Sequence, residues 1–360
     1  MMKRALNFNA GPTALPEAVL KKAEKEWLNY NGTGMNVMEM SHRSKPYEEI
    51  NNQAQTLLRK LLNISDEYEI LFLQGGASLQ FTMLPMNLLE EGKKGYYALT
   101  GSWSEKALKE AKKIGDAEVV ASGKDNNYTT IPKITDLPSL EDGSYLHITS
   151  NNTIYGTQWS DIPSNLKLPL VADMSSDILC RPIDVNSYGV IYAGAQKNLG
   201  PSGVTVVILK KDLLERSKDS LPSMLDYRTH AKNDSLYNTP PTLAVYLLKL
   251  VLEWADSLGG AESLETINKQ KAALLYNEID ESNGFYSGHA EVNSRSLMNV
   301  TFTLNSKELT DAFLSEAKEL GFTGLNGHRS VGGCRASIYN AVPLEHVEKL
   351  AQFMKDFRTR

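Results

Sequence analysis

Hydrophobic and polar positions alternate with two different periods over the first 240 residues. Short apolar runs, typical of buried strands, occur at 69–73, 95–99, 118–121, 145–149, 168–172, 190–193 and 204–209. Apolar residues spaced three or four positions apart predict helices, the clearest over 16–30 and 46–62. Alternation of strands and helices predicts an α/β domain with a mostly parallel central sheet.

After about residue 240 the helical period dominates. Helices are predicted over 240–258, 262–281 and 307–320 and from 344, and strands only at 298–304 and 335–339. This pattern predicts a smaller α+β domain. We therefore predict a large domain over 15–260 and a small domain formed by 1–14 and 261–360.

Composition and charge exclude several classes of protein. No apolar run approaches the ~20 residues of a membrane span, and the start MMKRALNFNAGP lacks the apolar core of a signal peptide. Cys180 and Cys334 are the only cysteines, which indicates a reducing compartment and no cysteine-rich metal site. The net charge of −5 argues against a nucleic-acid surface. We expect a cytoplasmic protein without metal, membrane or nucleic-acid partners.

Polar residues follow several of the predicted strands, where ligands of parallel sheets bind. A Gly75-Gly76-Ala77-Ser78 turn precedes a predicted helix and suits a phosphate group, although it matches neither the dinucleotide nor the nucleotide P-loop spacing. Trp103 stands at another helix start, where it could stack on a planar ligand or simply pack in the core. The cluster 150–153 follows the strand at 145–149.

Asp173 and Lys197 are the most informative pair. Asp173 ends one apolar run, and 24 residues later Lys197 lies in a glycine-rich loop between two others. A surface hairpin and a helix N-cap would explain them without any chemistry. Together, however, they have the spacing expected of a pyridoxal-phosphate site, in which the lysine binds the cofactor covalently and the aspartate keeps the pyridine nitrogen protonated.

The segment ADMSSDILCRPIDVNSYGVIYAGAQKNLGPSG resembles the cofactor-binding segment of the phosphoserine aminotransferase family, fold-type I pyridoxal-phosphate enzymes. NFNAGPTALP, VMEMSHRSKPY, the Gly75-Gly76 turn, YNTPPT and GHRSVGGCRASIYNAVPLE extend the likeness over almost the whole chain. The resemblance implies pyridoxal 5'-phosphate as cofactor and a homodimer with shared active sites. It also implies exchange of an amino group between glutamate and 3-phosphohydroxypyruvate, giving 2-oxoglutarate and O-phospho-L-serine. It further implies that the enzyme accepts 4-phosphohydroxythreonine, which would link it to pyridoxine as well as serine biosynthesis.

The resemblance also implies site residues. The implied catalytic residues are Asp173 and Lys197. The implied cofactor contacts are Ala77, Ser78, Trp103, Thr153, Gln196 and, from the other subunit, Asn238 and Thr239. The implied substrate contacts are His42, Arg43, His328, Arg329 and, for the α-carboxylate, Arg335. Ser78 departs from the pattern, because some members of the family have an arginine there. A positive charge near the substrate is therefore missing, and the remaining arginines would have to supply it.

Three alternatives stay open on the sequence. A fold-type I aminotransferase for small amino acids would keep Lys197 and Asp173 without needing two His-Arg pairs. A cysteine desulfurase would need a mobile thiol, but Cys334 and Arg335 are neighbours on a predicted strand and face opposite ways. A non-catalytic binding protein would be expected to have lost the lysine or the arginines.

Overall fold

The computed structural model describes residues 4–134, 140, 142–163 and 166–359. Its strands are β1 (Leu6–Asn7), β2 (Tyr68–Leu73), β3 (Gly95–Leu99), β4 (Ala117–Ser122), β5 (Tyr145–Thr149), β6 (Asn151–Asn152), β7 (Thr157–Gln158), β8 (Leu170–Asp173), β9 (Val190–Gly194), β10 (Thr205–Lys210), β11 (Tyr286–Gly288), β12 (Asn299–Leu304), β13 (Phe322–Thr323) and β14 (Cys334–Ser337). Its helices are α1 (Glu17–Lys25), α2 (Lys45–Leu62), α3 (Gly76–Leu88), α4 (Ser102–Ile114), α5 (Tyr227–Lys232), α6 (Thr242–Ser257), α7 (Gly260–Asp280), α8 (Lys307–Glu319) and α9 (Leu344–Arg358).

A seven-stranded sheet in the order β2-β10-β9-β8-β5-β3-β4 forms the centre of the fold. All neighbouring pairs from β9 to β4 are parallel, and only β10 runs against its two neighbours. Apolar side chains pack on both faces of the sheet. The predicted mostly parallel sheet is therefore confirmed, and the carboxyl ends of six strands meet at one edge.

Among the element boundaries that differ from the sequence prediction are the end of α1 and the start of β8. The helix predicted over 16–30 ends at Lys25, and Tyr30–Gly32 form a separate 3-10 turn in which Asn31 has a φ of +47°. The strand predicted to begin at Leu168 begins at Leu170 instead. Pro169, just before it, has no N–H to donate to a neighbouring strand.

A second, antiparallel sheet of β11, β12 and β14 lies in the C-terminal part of the chain. The N-terminal strand β1 pairs in parallel with β13, so the first residues of the described chain attach to the C-terminal region. Helices α6 and α7 meet at Gly259, whose φ is +97°. The division near residue 260 stays a prediction. No helix in the described part of the chain could cross a membrane.

Side-chain hydrogen bonds connect the C-terminal region to the loop after β9. The ammonium of Lys271 on α7 is fully buried and donates to the carbonyls of Ile338 (2.8 Å), Tyr339 (2.8 Å) and Val342 (3.2 Å), just after β14. In the same turn, the backbone N–H of Asn340 donates to the side chain of Asn198 at 3.1 Å. The loop that carries Lys197 is thus fixed from both regions of the chain.

Candidate active site

One cavity of about 470 Å³ lies at the carboxyl edge of the large sheet. Most of the residues predicted from the sequence line it: Ala77, Ser78, Trp103, Thr153, Asp173, Gln196, Lys197, His328 and Arg335. A larger cavity of about 770 Å³ adjoins it through Ala10, Gly11 and Arg335 but contains neither Asp173 nor Lys197 in its wall. The chemistry therefore belongs to the smaller cavity.

Asp173 is the last residue of β8 and is buried. Its Oδ1 accepts hydrogen bonds from the backbone N–H (3.0 Å) and the hydroxyl (2.6 Å) of Ser175. Burial raises the pKa of this carboxyl group, while the two bonds from Ser175 and the charge of Lys197 oppose that rise. Because both hydrogen bonds reach Oδ1, Oδ2 is available to a cationic N–H of a ligand.

Lys197 follows β9 in the loop that the sequence singled out, and its ammonium faces the same cavity. Burial lowers the pKa of Lys197; the charge of Asp173 opposes this effect and that of Arg335 adds to it. A lowered pKa increases the fraction of neutral amine, which is the nucleophilic form. The hydroxyl of Thr13 donates to the carbonyl of Lys197 at 2.9 Å and ties the loop to the N-terminal segment.

The glycine turn after β2 opens α3 toward the cavity. Gly75 has a φ of +86°, and a Cβ there would lie 2.6 Å from the Cβ of Leu79, so only glycine fits. Ala77 and Ser78 lie in the first turn of α3 and line the cavity. The free N–H groups and the dipole of this helix start favour an anion such as phosphate. The predicted glycine turn before a helix is thereby confirmed as structure.

A chain of polar contacts crosses the cavity from Trp103 to Arg335. The indole N–H of Trp103, on α4, donates to the hydroxyl of Thr153 at 3.1 Å. Arg335, on β14, donates through Nη1 to the carbonyl of Thr153 at 3.0 Å, while its buried Nε has no partner among the residues that the structure describes. Burial lowers the pKa of Arg335. Its unsatisfied donor at the wall of the cavity suits the carboxylate of a substrate.

His328 brings a further polar group to the cavity from the loop before β14. Its Nδ1 lies 2.7 Å from the hydroxyl of Ser330. Burial lowers the pKa of His328, and the positive charges of Arg335, Arg329 and Lys106 lower it further. Since several cations act on one imidazole, this side of the cavity has a positive potential that attracts anions.

The remaining predicted residues do not line the cavity of their own chain. They are His42, Arg43, Asn238, Thr239 and Arg329. Arg43 and Arg329 are exposed, and the buried Nε2 of His42 has no partner within the described ranges of the chain. Asn238 lies against a separate small cavity, beside Gln74. The structure of one chain therefore leaves the roles of these residues as predictions.

Some lining residues were not assigned a role from the sequence. Thr149 ends β5, and its buried hydroxyl has no partner in the part of the chain that is described. Asn151 and Ser176 bond to each other at 2.8 Å. Lys106 was also missed: its ammonium lies 4.1 Å from the centre of the Trp103 ring. The sequence could have indicated this contact, because Lys106 is three residues after Trp103 and so lies on the next turn of the same helix.

The donor set of the cavity fits pyridoxal phosphate. A helix start suits the phosphate, the open Oδ2 of Asp173 suits a protonated ring nitrogen, and the buried amine of Lys197 suits the aldehyde. Trp103 provides an aromatic wall. No cluster of three metal-binding side chains occurs in the described part of the chain.

Comparison with known proteins agrees with this geometry. The family model for class-V aminotransferases matches residues 5–350. The chain therefore belongs to the class-V aminotransferases, which are pyridoxal-phosphate-dependent enzymes of fold type I. The sequence prediction of the fold class, the cofactor and the transaminase activity is thus confirmed.

Within that family the relatives are phosphoserine aminotransferases. The enzyme from Geobacillus kaustophilus is 67% identical over 359 residues, covering 100% of this chain and 99% of the relative. The enzyme from Bacillus subtilis is 60% identical over 357 residues, covering 99% of each chain. Among solved structures, the phosphoserine aminotransferase of Bacillus circulans subsp. alkalophilus is 53% identical with a TM-score of 0.96, covering 99% of both chains. The predicted likeness to this family is confirmed.

Proposed function

We propose that this protein transfers the amino group of L-glutamate to 3-phosphohydroxypyruvate, reversibly forming 2-oxoglutarate and O-phospho-L-serine, a step of serine biosynthesis. One observation carries the proposal: Asp173, Lys197 and Arg335 line a single cavity that also has a positive side. The first two residues suit the cofactor. The cations suit substrates that carry a second acidic group besides the α-carboxylate.

On the cofactor side, Lys197 binds the aldehyde carbon and Asp173 holds a proton on the ring nitrogen. When bound, pyridoxal phosphate withdraws electrons from the substrate Cα and carries the amino group between the two substrates. The lowered pKa of Lys197 lets its released amine act as a base that moves the proton at Cα. The wall formed by Trp103 excludes water from one side of the reacting atoms.

On the substrate side, Arg335 binds the α-carboxylate through its planar guanidinium. It is held in place by the carbonyl of Thr153. His328 and Arg329 receive the distal phosphate or the γ-carboxylate, joined by His42 and Arg43 of a second subunit. One pocket thus serves two acids of different size and charge. The same pocket accepts 4-phosphohydroxythreonine, which carries the same distal phosphate.

The other candidate activities have less support. Cysteine desulfuration needs a reactive thiol in the site, but Cys334, the first residue of β14, is fully buried and burial raises its pKa to about 12. An aminotransferase for small amino acids shares Lys197 and Asp173 but has no use for the cations around His328. The proposed reaction accounts for both sets of residues.

Product analysis tests the reaction. Purified holoenzyme is incubated with glutamate and 3-phosphohydroxypyruvate, and the products are followed by proton and phosphorus NMR. We expect equimolar 2-oxoglutarate and phosphoserine. Equal or faster turnover with alanine and glyoxylate would refute the proposal in favour of the small-amino-acid activity.

We further propose a homodimer in which each active site uses residues of both chains. Exposed apolar side chains precede the His42-Arg43 pair: Trp27 is 44%, Leu28 82% and Met38 53% exposed. Tyr237, beside Asn238, is 45% exposed. Contact with a second copy would bury these surfaces and bring His42, Arg43, Asn238 and Thr239 to the cavity of the partner.

Mixed dimers test this arrangement. A Lys197→Ala chain and an Arg43→Ala chain, each nearly inactive alone, are co-expressed with different tags, and the mixed dimer is purified. If Arg43 acts in the partner's site, one site of the mixed dimer is fully wild type, so about half of the activity returns. No recovery would show that Arg43 acts within its own chain or not at all.

We also place the reaction in the cytoplasm. Both cysteines are free and buried, as suits a reducing compartment. Fractionation of cells that express the tagged chain tests this, and recovery in a membrane or exported fraction would contradict it.

A further inference from the structure

A lysine outside the set of predicted residues stands at the positive side of the cavity. Lys106 lies on α4, one helical turn after Trp103, and is exposed. Its ammonium is 4.1 Å from the centre of the Trp103 ring, whereas the ammonium of Lys197 is 5.8 Å from the same centre. The Lys106 ammonium therefore lies against the Trp103 ring, while the side chain remains exposed to solvent.

The charge of Lys106 is not neutralised within the described part of the chain, where no carboxylate forms an ion pair with it. The neighbouring acids on α4 are already engaged. Glu105 binds Lys124 at 3.0 Å and the hydroxyl of Tyr128 at 2.7 Å, and Glu110 binds Lys113 at 2.8 Å. An unpaired cation beside a ligand cavity is available to an anionic ligand.

Lys106 also acts on the same side of the cavity as the predicted anion-binding residues. The positive charges of Arg335, Arg329 and Lys106 all contribute to the lowered pKa of His328. This shared effect groups Lys106 with the other cations around the imidazole. Lys106 and His328 are therefore near enough for their charges to interact.

We propose that Lys106 is a specificity-determining residue that binds the distal phosphate or γ-carboxylate of the substrate. The inference rests on the proposed function. Ser78, in the first turn of α3, is neutral and lies on the cavity wall. Lys106 supplies from α4 a positive charge that Ser78 cannot supply from α3.

Half-reactions of the holoenzyme with phosphoserine and with serine test the proposal, because the two substrates differ only in the distal phosphate. Lys106→Met keeps an apolar stem against Trp103 and removes the charge. We expect it to lower the ratio of the two kcat/KM values by about threefold to tenfold, the range of one partly exposed ion pair with a doubly charged phosphate. Lys106→Arg is expected to restore most of the ratio.

Lys112→Met is the matched control, since Lys112 is an exposed lysine further along the same helix and its substitution changes the net charge equally. It is expected to leave the ratio unchanged. The difference between the Lys106→Met variant and wild type is also expected to shrink as ionic strength rises.

Three results would overturn the inference. If Lys106→Met leaves the ratio of kcat/KM for phosphoserine to that for serine unchanged, the lysine does not contribute to the preference for phosphoserine. An equal loss with phosphoserine and serine would show that Lys106 acts only through the Trp103 wall. A wild-type enzyme without preference for phosphoserine would refute the proposed function, and this inference with it, whereas the first two results leave the proposed function standing.

Discussion

The hydroxyl of Ser175 offers a sharp test of how the protein controls Asp173. This hydroxyl donates to Oδ1 of Asp173 at 2.6 Å and accepts a hydrogen bond from the backbone N–H of Gly194 at 3.0 Å. Ser175→Ala removes both contacts but keeps the backbone N–H that also reaches Oδ1. The substitution therefore weakens the support of the ionised carboxylate without removing the carboxylate itself.

The magnitude follows from the bond that is lost. A hydrogen bond to a charged group contributes about 1.5–3 kcal/mol, and 1.36 kcal/mol corresponds to one pKa unit. We expect the pKa of Asp173, already raised by burial, to rise further in Ser175→Ala. In the proposed function Asp173 is ionised when it holds the ring nitrogen protonated. The acid limb of kcat/KM should therefore move up by about one to two pH units.

The measurement is the pH profile of kcat/KM for phosphoserine in wild type, Ser175→Ala and Ser176→Ala. Ser176 is a suitable control because it is buried at the same cavity but bonds only to Asn151, at 2.8 and 3.0 Å. A bound cation at Oδ2 lowers the pKa in all three proteins, so the difference between profiles reports the hydroxyl. Equal shifts in both variants, or none in Ser175→Ala, would refute the reasoning.

Two further predictions concern the arginines and the buried lysine of α7. Arg335→Ala should lower kcat/KM for every amino-acid substrate by about thirtyfold or more. Arg329→Ala should lower kcat/KM for phosphoserine and leave the absorbance of the bound cofactor unchanged. Loss of that absorbance would show that Arg329 is misassigned. Lys271→Met should lower the free energy of unfolding by about 3 kcal/mol, measured with denaturant, because three buried carbonyls lose their donor. Burial lowers the pKa of Lys271 to about 7, so between pH 7 and 10 this lysine is protonated in the unfolded chain but not in the folded one. The free energy of unfolding of the wild type should therefore rise with pH relative to that of Lys271→Met. A difference between the two proteins that does not change with pH would contradict this.

Local sequence patterns were sufficient to predict the strands of the central sheet. The runs 95–99 and 145–149 coincide with β3 and β5, because apolar runs bounded by polar residues correspond directly to strands that are buried on both faces. The same pattern also predicted the position of the site, because residues that follow parallel strands lie at the same edge of the sheet. Asp173 and Lys197 could therefore be paired from their place in the pattern before any distance was known.

Other features depend on tertiary contacts that a linear pattern does not contain. The bond from Ser175 to Asp173 depends on side-chain direction, and the position of Lys106 over Trp103 depends on how α4 packs beside the cavity. The end of α1 at Lys25 has no glycine or proline in residues 26–30 to mark it in the sequence. The predicted role of Asn238 and the role proposed for His42 both involve a second chain, so a single chain leaves them as predictions.

The central claim, a cofactor site that selects substrates with a distal anion, is tested most directly by a single-turnover half-reaction. Holoenzyme is mixed with phosphoserine or with serine, and the visible absorbance of the bound cofactor is followed by stopped flow. We predict that phosphoserine converts the cofactor to its amino form far faster than serine does, and that Lys197→Ala shows no comparable conversion. Equal rates with both substrates, or wild-type conversion in Lys197→Ala, would contradict the account.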